Sequence, residues 1–225
     1  MNNNSMPFFF KNKDFKEPDL PFYYLISADG LFLVKNFPLY RASIKIDKGL
    51  PWLEANTEQL SLKFPKIPRR LIEKVVGFFY VIFRLYGSEA IVFLYYHAKE
   101  KSYKLSVPQQ EVELHEYQGY QWNNYHLNYS PAPTPPGYIR LGTIHSHASM
   151  PAYYSWTDEK DSQFDDSLNI VVGNLDLSTP SFSACFMVHG QKFDLYPWEV
   201  MEAYRQPHFP VPSNWIKKVK QVLVK

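Results

Sequence analysis

The segment Leu141-Gly-Thr-Ile-His-Ser-His-Ala-Ser-Met-Pro-Ala-Tyr-Tyr-Ser-Trp-Thr-Asp158 joins an apolar run to a spaced set of polar residues. Its pattern is His-x-His, seven residues, Ser, two residues, Asp. Residues two apart on a strand face the same side, so both imidazoles should point to one place. Imidazole nitrogens and a carboxylate oxygen are zinc ligands, and three of them leave a fourth tetrahedral position open. The pattern therefore predicts a metal site formed by His145, His147 and Asp158.

Each half of this pattern also has a simpler interpretation. A His-x-His pair can be two polar residues at the end of a strand. Ser155-x-x-Asp158 is a common pattern at the first turn of a helix, where the two side chains cap free backbone groups. The cap and the metal site are compatible, because a residue in the first turn of a helix can still point at a metal. The combination of both halves favours the metal site.

The chain around this segment is predicted to alternate strands with one long helix. Apolar residues at spacings of three and four follow Pro68, which suits the first turn of a helix, and Gly87 can end it. Short apolar runs predict buried strands, and a hairpin is predicted around His189-Gly190. The runs are Ile91–Tyr96, Tyr138–Ile144, Asn169–Val172 and Ser181–Val188. We expect an α/β (α+β) fold over residues 67–198, with a mixed β-sheet flanked by helices, including a surface helix over 159–168.

Two further sections flank this predicted domain. Residues 1–66 are expected to form an exposed arm, up to about residue 20, and a small β-rich section with a tight turn at Asp29-Gly30. Residues 199–225 are expected to form a C-terminal extension. Its last part, 213–224, has apolar residues on one side and lysines opposite in a helical projection, which predicts an amphipathic helix.

Composition excludes several classes of protein. The chain has 225 residues, of which 45% are hydrophobic, so it can bury a core, and its net charge of +2 predicts no nucleic-acid partner. The single cysteine, Cys185, excludes an internal disulfide, a multi-cysteine zinc site and a zinc deaminase. The longest apolar run, Val75–Phe83, is far shorter than the ~20 residues of a membrane span. We expect a cytoplasmic protein with no membrane contact.

His145, His147, Ser155 and Asp158 match the signature of the JAMM (MPN-plus, Mov34/JAB) metalloprotease family, which the chain resembles over roughly residues 67–198. The resemblance implies one bound Zn²⁺ on the two histidines and the aspartate. It also implies that Ser155 positions a water molecule or stabilises a tetrahedral intermediate. The family's general base is a glutamate at the start of an upstream apolar strand, and Glu89 matches that position. The other candidates for the general base, Glu111, Glu113 and Glu116, lie in more polar segments.

This resemblance implies a JAMM-type zinc metallopeptidase that hydrolyses peptide or isopeptide bonds. The substrate would be the C-terminal tail of a ubiquitin-like protein or a short peptide. The alternative is a non-enzymatic MPN-type scaffold subunit of a bacterial multiprotein system, although the retention of all five residues favours the enzyme. The chain departs from the family in having Ala148 where proline often follows the second histidine, and in having no glycine within Ile91–Tyr96.

The size of the chain and its N-terminal β-rich section are also similar to the protein A component of the bacterial ParB-related, ThiF-related cassette. Such cassettes pair a JAB-like protein with E1-like and ubiquitin-like proteins. This second resemblance implies an E1-like (ThiF-like) partner beside the ubiquitin-like substrate.

Overall fold

The computed structural model describes residues 7–46, 54–117, 120–130, 133–155, 158 and 165–224. The chain divides into two compact units, Met1–Phe64 and Pro65–Lys225. The structure is mixed α/β and consists mostly of sheet, in agreement with an α+β fold. Residues 199–224 belong to the second unit rather than to a unit of their own. The predicted helix over 159–168 falls on residues 159–164, which lie outside the described part of the chain, and on β-strand from Ser167.

The first unit is a five-stranded sheet in the order β1-β2-β3-β4-β5. The predicted turn is confirmed, because β2 and β3 pair antiparallel around it and Gly30 has a φ of 132°. Side chains from alternate positions of β2 and β3 form a buried cluster of Tyr23, Leu25, Phe32 and Val34. The strands are β1 (Phe8–Phe10), β2 (Phe22–Ser27), β3 (Gly30–Asn36), β4 (Tyr40–Lys45) and β5 (Gln59–Leu62).

Most residues of the described part of the N-terminal arm are exposed, but several of them contact the sheet. Residues Phe8–Phe10 form a strand parallel to β2, and the ring of Phe9 meets Tyr23 edge-on at 5.4 Å. Phe15 and Leu20 pack on the buried cluster of this unit. Glu17 accepts a hydrogen bond from the Tyr23 hydroxyl and pairs with Arg41. The arm is rich in polar residues, but Phe9, Phe15 and Leu20 within it cover the buried cluster of the sheet.

The second unit is built on a six-stranded mixed sheet in the order β13-β12-β11-β10-β6-β7. Strands β10 and β11 are parallel and the other neighbours are antiparallel. All residues of β11 and the first six of β6 are buried, so the central strands are covered on both faces. The strands are β6 (Ile91–His97), β7 (Ser102–Ser106), β10 (Ile139–Ser146), β11 (Ser167–Gly173), β12 (Ser181–Val188) and β13 (Gln191–Leu195).

A second sheet of this unit has the order β14-β8-β9, with β8 (Gln110–Tyr117), β9 (Tyr120–Tyr129) and β14 (Val219–Val224). Leu127 and Tyr129 of β9, with Tyr138, pack against a buried cluster of Ile91, Phe93 and Tyr95 on β6. This sheet therefore covers one face of the strand that follows Glu89.

The long helix α1 (Arg69–Tyr86) begins and ends where the sequence predicts. Pro68 is its N-cap, and Gly87 ends it in the left-handed conformation with a φ of 62°. Its side chains Ile72, Val75, Val76, Phe79 and Ile82 form the predicted buried stripe. Gly77 lies on this helix against His208, where a Cβ would be 2.3 Å from the carbonyl oxygen. Two helices of four residues follow where the structure describes whole elements, α2 (Pro197–Val200) and α3 (Ser213–Ile216).

The predicted amphipathic helix over 213–224 is wrong. Only α3 is helical, and its Trp215 meets Phe78 of α1 edge-on at 5.7 Å. The rest is β14, which pairs parallel with β8 from Val219 opposite Gln110 to Val224 opposite His115. Val219, Val222 and Val224 fit the apolar spacing of a helix as well as that of a strand. Their β-branched side chains favour the strand once a partner strand is available.

Candidate metal centre

The two histidines stand at the end of the central strand β10. His145 lies between Ile91 of β6 and Val171 of β11, and the backbone N–H of His147 donates to the carbonyl of Val172 at 2.9 Å. Both side chains are buried. β10 can lie this close to β11 because residue 142 is glycine. A Cβ at this position would lie 1.8 Å from the carbonyl oxygen of Leu168. The pairing with β11 thus sets the backbone of both histidines at the C-terminal end of β10.

A tight turn follows His147 and reverses the chain. Ala148 has a φ of 48°, in the left-handed region, and the N–H of Met150 donates to the carbonyl of His147 at 2.8 Å. Proline is restricted to a φ near −65° and cannot adopt this conformation. Ala148 therefore suits this turn, and a proline at the same position would not.

The turn is held against the end of β11. The N–H groups of Asn174 and Leu175 donate to the carbonyls of Met150 and Ala148, at 2.7 and 2.9 Å. Gly173 permits this approach, because a Cβ there would lie 2.3 Å from the backbone nitrogen of Ala152. These contacts direct the chain back towards the histidines.

Ser155 and Asp158 form the cap pattern that the sequence suggests. Oγ of Ser155 donates to Oδ2 of Asp158 at 2.6 Å, and the backbone N–H of Ser155 donates to the same oxygen at 2.8 Å. The backbone N–H of Asp158 donates in return to Oγ of Ser155 at 3.3 Å. The Tyr154 hydroxyl donates to the carbonyl of Asp158. Asp158 is therefore oriented by its own loop, and its carboxylate is directed at the histidines.

The three predicted ligands converge. Nε2 of His145 lies 3.3 Å from Nε2 of His147 and 3.2 Å from Oδ1 of Asp158, and Nε2 of His147 lies 3.7 Å from Oδ2 of Asp158. Two nitrogens about 2.05 Å from a tetrahedral ion would be about 3.3 Å apart, so the histidine spacing fits one shared ion. Among the described residues, these three are the group of His, Cys, Asp and Glu side chains whose ligand atoms could hold a metal ion.

Glu89 lies beside this group, in the segment between α1 and β6. It is 9% exposed, and burial, together with the neighbouring Asp158 carboxylate, raises the pKa of its carboxyl to about 8. Both causes favour the neutral form of Glu89: burial removes water from around a charge, and a second carboxylate repels it. A divalent cation between the two would remove that repulsion. Glu89 is thus a buried acid–base group near the predicted ligands.

The pKa of Asp158 is shifted the other way. Burial by itself would raise the pKa of this carboxyl, but hydrogen bonds from His145 and His147, with that from Ser155, hold it well below its usual range. The aspartate therefore stays ionised as a ligand must. Nδ1 of His147 is buried and has no hydrogen-bond partner within the described ranges, while the ring of Tyr153 covers the same imidazole edge-on at 4.7 Å.

The other glutamates considered from the sequence lie on β8, in the three-stranded sheet. Glu113 accepts a hydrogen bond from Nδ2 of Asn128 and lies 3.0 Å from Nε2 of His115. Glu111 is exposed. Sequence reasoning missed Ser146 and Gln110, two buried polar residues that contact the backbone immediately after Glu89. Neither residue type carries a signal by itself at these positions.

No family model matches the chain, and no curated protein matches it either. The resemblance to the JAMM family therefore rests on five residues and on what their chemistry allows. Among the residues that the structure describes, no helix combines the length and the apolar character needed to cross a bilayer.

Proposed function

We propose that this protein is a zinc-dependent hydrolase of peptide or isopeptide bonds. The observation that supports it most is the convergence of His145, His147 and Asp158 to within 4.8 Å, with the buried Glu89 carboxyl beside them. Metal-ion catalysis of amide hydrolysis needs an ion with an open position and a base that can both take and give a proton. The site offers groups for both roles.

Zinc is the metal that suits this donor set. Two imidazole nitrogens and one carboxylate oxygen make a borderline-soft set of three, as in catalytic zinc sites. Bound there, zinc would supply a Lewis acid that polarises the substrate carbonyl and lowers the pKa of a water molecule. The paired N–H and hydroxyl donors of Ser155 on Oδ2 hold the carboxylate of Asp158 in the orientation required of a ligand.

Glu89 is the residue that moves protons in this proposal. Its carboxylate takes a proton from the attacking water, and the resulting carboxylic acid gives that proton to the leaving amine. Burial and Asp158 raise its pKa to about 8 without a metal, and a bound cation would lower that pKa towards neutrality, where a group can serve in both directions. Ser155 keeps its hydroxyl on Asp158 at 2.6 Å, so its main role in this proposal is to position that ligand.

The substrate class comes from the family resemblance. The C-terminal tail of a ubiquitin-like protein, or a short peptide, is extended and presents an amide bond to the site. An E1-like partner that activates the same ubiquitin-like protein and a cytoplasmic location belong to the same proposal. The non-enzymatic scaffold is the competing function, and it predicts an intact site without turnover.

The test is hydrolysis of a panel of ubiquitin-like proteins fused through their C-terminal tails to a reporter. Zinc-loaded wild-type protein should cleave at least one fusion at the end of the tail. Glu89→Gln should retain zinc and lose about 10²-fold or more in kcat, because the proton acceptor is removed. Glu111→Gln, which changes an exposed glutamate on β8, is the matched control and should be unchanged. Zinc binding without cleavage of any fusion would favour the scaffold.

A further inference from the structure

The first residue of β6 has a strand partner on one side only, within the described part of the chain. Ile91 pairs with His145 of β10, but β7 pairs with β6 only from Phe93, opposite Ser106, to His97. The chain continues from β7 through Val107 and Pro108, and proline has no N–H to extend the ladder. The outward N–H and carbonyl of Ile91 therefore need another partner, because unpaired backbone groups are costly when buried.

The side-chain amide of Gln110 takes the place of the missing strand. Its Oε1 accepts the N–H of Ile91 at 2.9 Å, and its Nε2 donates to the carbonyl of Ile91 at 3.0 Å. Gln110 is 1% exposed. Its own backbone is fixed, since its N–H donates to the carbonyl of Lys218 at 2.9 Å next to β14. A single amide thus reproduces both bonds of a β-ladder at the residue two after Glu89.

The other side of this segment is held by the residue between the two histidines. Oγ of Ser146 accepts the N–H of Ala90 at 3.0 Å, and the N–H of Ser146 donates to the carbonyl of Ala90 at 2.9 Å. Ser146 is fully buried. The two residues that follow Glu89 are therefore fixed from both directions, by Ser146 on the ligand strand and by Gln110 on the β8 sheet.

We propose that Gln110 is a positioning residue for Glu89. By pairing with Ile91 it sets where the backbone enters β6, and so where the Glu89 carboxyl stands relative to His145, His147 and Asp158. The inference rests on the proposed hydrolase function and adds to it a residue from a separate sheet. Displacement of a catalytic group by about 1 Å can cost about 10²-fold in rate, so the effect should appear in turnover.

The test compares Gln110→Met, which keeps the length and removes both hydrogen-bonding groups, with Gln109→Met at the exposed neighbour. Zinc-loaded proteins are assayed on a cleavable ubiquitin-like fusion well below their unfolding temperatures. Zinc content and hydrogen exchange at the Ile91 amide are measured in the same samples. For Gln110→Met we expect kcat to fall about 10- to 100-fold, KM to stay within about 2-fold, zinc to be retained and Ile91 to exchange at least about 10-fold faster. Gln109→Met should match the wild type in all four.

A structural role alone predicts a different result. If Gln110→Met lowers the unfolding temperature and speeds exchange at Ile91 while kcat is unchanged, the proposal is overturned. Unchanged exchange at Ile91 would overturn it as well. If Gln110→Met does not fold, Gln110→Asn retains the amide on a side chain one methylene shorter, and the same loss of kcat is expected. A wild-type protein that cleaves no substrate contradicts the hydrolase function itself, whereas an active wild type with an equally active Gln110→Met contradicts only the role of Gln110.

Discussion

The hydroxyl of Ser155 donates a 2.6 Å hydrogen bond to Oδ2 of Asp158, the same carboxylate whose Oδ1 lies 3.2 Å from Nε2 of His145. The serine thus acts directly on a carboxylate that could hold a metal ion. Groups that orient a ligand typically change metal affinity by about 10- to 100-fold when they are removed.

Ser155→Ala should therefore weaken zinc binding about 10-fold, because Oδ2 of Asp158 loses the hydroxyl donor of residue 155. Competition with a chromophoric chelator measures the change. Ser149→Ala, at an exposed serine in the same loop, is the control and should bind zinc as the wild type does. Equal zinc affinity in both variants would remove Ser155 from the positioning role.

Ala148 offers a test of the turn after the histidines. Its φ of 48° costs an alanine about 1 kcal/mol relative to glycine, so Ala148→Gly should raise the free energy of unfolding by up to about 1 kcal/mol. Ala148→Pro should lower it by about 3 kcal/mol or more and reduce zinc binding, because proline cannot adopt this φ. Urea denaturation of the metal-free proteins measures both. An Ala148→Pro variant as stable as the wild type would show that this turn has another conformation.

Glu89 should make the stability of the metal-free protein depend on pH. Its carboxyl has a pKa of about 8 in the folded state against an ordinary 4.5, so the stability it contributes is present below pH 4.5 and is lost as the pH rises through 8. Glu89→Gln should be within about 1 kcal/mol of the wild type at pH 5, and its stability relative to the wild type should rise by about 4 kcal/mol between pH 5 and pH 9. Bound zinc should reduce that difference, because a cation favours the carboxylate.

Denaturation of both proteins across this pH range, with Glu111→Gln as the control, measures the effect. A stability difference that does not change between pH 5 and pH 9 would place the Glu89 carboxyl in water rather than in the buried site.

The C-terminal strand can be distinguished from a helix by two substitutions. In β14 Val219 is 4% exposed and Val222 is 38% exposed, whereas a helix would place residues three apart on the same face. Val219→Asp should lower the free energy of unfolding by about 2–4 kcal/mol and Val222→Asp by less than about 1 kcal/mol. Similar losses at both positions would favour the helix.

The sequence predicted those parts of the fold that local signals determine. The helix α1 begins after Pro68 and ends at Gly87 because each residue has the backbone conformation that a helix end requires. The turn at Asp29-Gly30 follows from the positive φ of Gly30. The group that could hold a metal ion was predicted for a similar reason, since His145 and His147 are two positions apart in sequence and chemistry restricts which residues can join them.

Non-local pairing explains what was missed. Phe8–Phe10 becomes a strand only because β2 offers an edge, and Val219–Val224 becomes one only because β8 does. Gln110 lies 19 positions from the residue whose backbone it completes, and no spacing rule connects a lone glutamine with Ile91. Such a contact depends on β7 ending before it reaches Ile91, which only the assembled sheet shows.

The most direct measurement for the metal-dependent hydrolase is the zinc content of the purified, metal-replete protein by elemental mass spectrometry. We predict about one zinc per chain in the wild type, the same in Glu89→Gln, and almost none in the His145→Ala, His147→Ala double variant. A well-folded wild type that holds no zinc after exposure to it and removal of the excess would contradict the site on which the proposed function rests.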